Sequence, residues 1–65
     1  MCLSTVYILN DQGEKDPQPF AKNVSSLATR DGVITFTDLL GAEHSIAGTL
    51  TQVDFVGGTI VVQPA

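Results

Sequence analysis

The stretch SIAGTLTQVDF, residues 45–55, predicts the longest strand of the chain and contains one isolated glycine, Gly48. A glycine inside a strand is typical of a bulge or a bend, because it lacks the Cβ that packs a pleated surface. A strand that bends in its middle can serve two sheet edges. Residues 45–55 therefore predict a sheet that curves strongly.

Four more predicted strands accompany this one, and turn chemistry separates them. They are CLSTVYIL (2–9), VSSLAT (24–29), VITFTDL (33–39) and TIVVQ (59–63). Turn signals recur at Gly13, Gly32, Gly41 and Gly57–Gly58. Five short strands with this spacing predict one all-β domain over residues 1–65, a small five-stranded SH3-like or Sm-like barrel whose closure removes exposed edges.

The remaining segments are less regular. EKDPQPFAKN (14–23) contains two prolines, which cannot donate to a strand ladder, and it predicts the longest loop. SSLATRDG (25–32) is the one segment in which a short helix competes with a strand. The aromatic side chains are most simply core residues, namely Tyr7, Phe20, Phe36 and Phe55.

The length of the chain favours association with a second copy. A domain of 65 residues buries only about 60% of the surface that its unfolded chain exposes, and a single cysteine excludes an internal disulfide. The first predicted strand is apolar on both faces, with Val6 and Ile8 on one and Leu3, Tyr7 and Leu9 on the other. A half-buried strand needs only one apolar face. We therefore predict a homodimer with residues 2–9 at its interface.

The net charge of −4 bears on the class of partner. Proteins that bind nucleic acid take most of their affinity from Lys and Arg, and Lys15, Lys22 and Arg30 are too few and too scattered to form a patch. No stretch approaches the ~20 apolar residues of a membrane helix. The N-terminus also lacks the features of a secretory signal. These features predict a cytoplasmic protein that binds neither nucleic acid nor membrane.

The single cysteine occupies position 2, directly after Met1. The terminal amine, the Cys2 amide nitrogen and the Cys2 thiolate are linked by two fused five-membered chelate rings, so they can occupy three corners of a square. A square set of nitrogen and thiolate donors favours Ni(II), because zinc has no electronic preference for a square and thiolate disfavours Cu(II). From composition alone, an inert thiol at a chain terminus remains the competing interpretation.

The whole chain resembles the CooT family, small nickel-binding proteins associated with maturation of nickel carbon monoxide dehydrogenase. The resemblance rests on MCLSTVY (1–7), on an Asp-Gly turn followed by VITFTDLLGAEHSIAG (33–48), and on VDFVGGTIVV (53–62). It implies a homodimer of small β-barrels that binds nickel through Cys2, with Met1 as the neighbouring donor. It also implies nickel-enzyme maturation proteins as partners.

Other polar residues are weaker candidates for a metal site. His44 is either a fourth nickel ligand or, as base rates favour, a solvated turn residue beside Glu43. Asp54 is expected to pair with a strand neighbour or to cap a turn. The carboxylates of Asp11, Glu14 and Asp16 lack the calcium-loop pattern and are expected to form a solvated acidic loop.

Two classes of function follow from the sequence. The first is a nickel-binding accessory protein, acting in delivery, storage or sensing, with the Met1-Cys2 chelate at a dimer interface. The alternative is an SH3-like or Sm-like interaction module that binds protein or RNA, in which Cys2 is incidental. No nucleophile is paired with a base, so the sequence does not indicate an enzyme.

Overall fold

The computed structural model describes residues 3–65, which form five strands joined by turns. The strands are β1 (Ser4–Ile8), β2 (Ala21–Arg30), β3 (Val33–Asp38), β4 (Glu43–Asp54) and β5 (Thr59–Pro64). Consecutive strands pair antiparallel, and β5 pairs in parallel with β1, so the sheet closes into a barrel. The prediction of a small five-stranded SH3-like barrel is confirmed. Residues 3–65 contain no helix that is long and apolar enough to cross a membrane.

The strand β4 closes the barrel by changing partner at Gly48. Its first half pairs with β3, as far as the pair between Val33 and Ala47, and its second half pairs with β5 from Gly48 opposite Pro64 onward. A Cβ on Gly48 would overlap the carbonyl oxygen of Gln63. Glycine is therefore needed because two backbones approach closely there. The predicted role of Gly48 is confirmed, and a separate shift of register lies between Leu50 and Gln52.

The core lies inside the barrel; its buried side chains come from β1, β2, β3 and β5, and the partly buried Ile46 and Leu50 of β4 pack against them. Its largest fully buried side chains are Phe36, Ile34, Val6 and Val62. Ile34 and Phe36 alternate along β3, as the period of two in a strand requires. Complete burial of each such side chain contributes about 1.5–3 kcal/mol, so a few residues supply much of the stability of this small domain.

The strand β2 is longer than the sequence predicted. It begins at Ala21 rather than Val24, so the predicted loop over residues 14–23 is wrong at its end. Asn23 has a φ of 55°, a left-handed conformation that asparagine tolerates, and it lies where the register between β1 and β2 shifts. Because of this bulge, the chain pairs with β1 from Ala21, three residues before the predicted start of the strand at Val24. The competing helix over residues 25–32 is also wrong, because β2 continues to Arg30.

The aromatic side chains divide between the interior and the surface. Phe36 is fully buried, and Phe20 packs against it edge to face with ring centroids 6.3 Å apart. Tyr7 is half-buried, and the Nζ of Lys15 lies 5.1 Å from the centroid of its ring. Phe55 is 75% exposed, so its prediction as a core residue is wrong. The reason is that β4 ends at Asp54 and Phe55 belongs to the following turn.

Candidate functional site

The predicted metal ligands, Met1 and Cys2, lie outside the described residues. The residue after them, Leu3, is half-buried. Its carbonyl oxygen lies 3.1 Å from the point that a Cβ on Gly58 would occupy, and Gly58 has a φ of 67°. The amide of Thr5 donates to the carbonyl of Gly58 over 2.8 Å. Gly58 therefore holds the start of β1 against the β4–β5 turn.

The β4–β5 turn is itself ordered by Asp54. One carboxylate oxygen, Oδ1, accepts hydrogen bonds from the amides of Val56 at 3.0 Å and Gly57 at 2.9 Å. Of the two roles expected for Asp54, the structure shows the turn cap. Capping by an aspartate side chain is the usual way in which a short turn satisfies its amides. The turn beside Leu3 is thus held in one conformation by the side chain of Asp54.

The strand β1 presents an apolar outer face at the same end. Both of its edges are occupied, because β1 pairs with β2 on one side and with β5 on the other. Val6 is fully buried, while Leu3, Tyr7 and Leu9 on the other face are half-buried. Any partner that meets β1 must therefore contact this outer face and not a strand edge.

His44 belongs to a different part of the barrel. It lies in β4 opposite Phe36, so its prediction as a turn residue is wrong. Its Nε2 is 2.9 Å from Oδ2 of Asp38, and its ring packs edge to face on Phe20 with centroids 6.4 Å apart. The two side chains are largely shielded, at 34% exposure for His44 and 16% for Asp38. The Nε2 atom of His44 is therefore already bonded within the barrel.

The sequence analysis did not identify Asp38, the hydrogen-bond partner of His44. Its Oδ1 accepts hydrogen bonds from the amides of Leu40 and Ala42, at 2.9 and 3.0 Å. The hydrogen bond with His44 lowers the pKa of the Asp38 carboxyl, and these two backbone amides lower it further against an opposing effect of burial. A signal was available, because Asp38 precedes Gly41 by three positions, as Asp54 precedes Gly57.

The acidic segment of the first connection is exposed, as expected. Asn10 caps it by accepting, through Oδ1, the amides of Gln12 at 2.9 Å and Glu14 at 3.0 Å. Asp16 accepts the amide of Gln18 over 3.0 Å. Within residues 3–65, no group of three or more His, Cys, Asp or Glu side chains is placed to hold a metal ion.

Comparisons with known proteins agree with this architecture. The family model for the CO dehydrogenase accessory protein CooT matches residues 1–63. The fold is similar to a crystal structure of a protein assigned as CooT from Carboxydothermus hydrogenoformans, with a TM-score of 0.85 and 16% sequence identity over 98% of each chain. At that identity the likeness shows the fold alone. No curated protein matches the chain.

Proposed function

Because the chain belongs to the family of the CO dehydrogenase accessory protein CooT, we propose that it binds Ni(II) as cargo through Cys2 and Met1. The family description is that of an accessory protein and not of an enzyme. Delivery, storage and sensing of nickel are all roles for such a protein in the maturation of nickel carbon monoxide dehydrogenase.

The donor chemistry of the first two residues suits this cargo. A thiolate, an amide nitrogen and an amine in adjacent chelate rings match a planar Ni(II) ion. Thiol, amine and amide must lose protons to bind, so affinity falls as the pH drops. A cytoplasmic location, which we include in the proposal, keeps the thiol reduced.

The observation that carries the proposal is the hydrogen bond from the Thr5 amide to the Gly58 carbonyl, with the carbonyl of Leu3 close beside Gly58. A chelate formed by residues 1 and 2 is only one residue away from a strand that the barrel holds in place. The position of β1 therefore governs the position of the metal.

A homodimer would give this chelate a second cysteine. The outer face of β1, with Leu3, Tyr7 and Leu9, is apolar and begins at the residue that follows the proposed ligands in the chain. Two copies that pair through this face around a two-fold axis would bring two Cys2 thiolates together. One cysteine per chain then supplies two ligands to a shared site.

Titration of Ni(II) into the untagged protein tests the proposal. The wild type should develop thiolate-to-nickel charge-transfer absorption. Cys2→Ser should lose that absorption and at least about a hundredfold in affinity, which corresponds to roughly 2.7 kcal/mol. His44→Ala is the matched control and should bind nickel nearly as well as the wild type, because its ring is engaged by Asp38 and Phe20.

Two further measurements separate the parts of the proposal. An N-terminal extension converts the amine into an amide and should weaken nickel binding even though Cys2 is intact. Sedimentation equilibrium should detect a dimer in the wild type at micromolar concentration. Nickel binding by Cys2→Ser at wild-type affinity would contradict the chelate, and a monomer with and without nickel would contradict the shared site.

A further inference from the structure

We draw no further inference here: the strongest candidate, the apolar groove of about 620 Å³ that Leu27, Leu50, Val53 and Phe55 line between β2 and β4, carries nothing because nothing in the structure shows what covers it.

Discussion

Two turns of this barrel have the same sequence pattern and different surroundings. DLLG (38–41) connects β3 to β4, and DFVG (54–57) connects β4 to β5. In each turn the Oδ1 atom of the aspartate accepts two backbone amides at 2.9–3.0 Å. The aspartates differ in their second oxygen, because Oδ2 of Asp38 is bonded to His44, which packs on Phe20.

The difference separates an end of the barrel that an internal contact stabilises from the end beside which we propose the nickel site. At the first turn, the shielded side chains of Asp38 and His44 join β3 to β4. At the second turn, Asp54 and Phe55 are exposed, and the carbonyl of Gly58 accepts the amide of Thr5 at the start of β1. The same aspartate cap therefore occurs in two settings. In the first turn the aspartate also bonds a histidine of the next strand, and in the second turn it is exposed.

The largest expected effect comes from the strand that connects the two turns. Gly48→Ala places a Cβ against the backbone carbonyl of Gln63, which cannot rotate away. We expect a loss of about 1–3 kcal/mol in the free energy of unfolding, from strain where β4 changes partner. That is a large share of the roughly 3–10 kcal/mol available to a domain of this size. Urea denaturation measures it.

Gly57→Ala is the matched control for this substitution. The nearest atoms to its Cβ belong to the side chain of Asp54, which can move, and Gly57 does not have a positive φ. The loss should therefore be smaller than for Gly48→Ala. Equal losses would mean that the close approach at Gly48 does not limit the barrel.

A smaller effect distinguishes the two aspartates directly. Asp38→Ala removes the turn cap and also leaves the half-buried His44 without its partner, whereas Asp54→Ala removes a cap at an exposed turn. We expect the melting temperature to fall by roughly 5–10 °C for Asp38→Ala and by less than about 5 °C for Asp54→Ala. Thermal unfolding followed by circular dichroism compares them. A larger fall for Asp54→Ala would show that the contact of Asp38 with His44 does not add to the stability of the first turn.

Sequence reasoning predicted the strands and the partner change at Gly48 because these depend on local chemistry. Turn glycines and β-branched runs specify where strands begin and end, and an isolated strand glycine marks a close approach. The pairing of Asp38 with His44 was missed because it depends on the register between β3 and β4, which local composition does not encode. Phe55 was placed in the core because its hydrophobicity was visible in the sequence and the end of β4 at Asp54 was not.

The smallest effect is the response of the first turn to acid. The folded structure lowers the pKa of Asp38 from its ordinary value of 3.8, first through the hydrogen bond with His44 and then through the amides of Ala42 and Leu40. A carboxyl with a depressed pKa contributes stability that is fully present above its unfolded pKa and is lost as the pH falls through its folded pKa.

The part of the melting-temperature difference between wild type and Asp38→Asn that comes from the lowered pKa of Asp38 should therefore be fully present above its unfolded pKa of 3.8 and should shrink as the pH falls below that value. His44→Gln removes the largest cause of the shift, so the pKa of Asp38 should move back toward 3.8, as measured by the pH dependence of its side-chain carboxyl resonance.

Asp54→Asn is the control at the second turn, which has no histidine partner for its aspartate among residues 3–65. A difference for Asp38→Asn that stays the same from pH 7 to pH 3 would show that the ionised carboxylate is not what stabilises the turn. The amide of asparagine would then serve equally well as a cap, and the contrast between the two turns would reduce to their exposure.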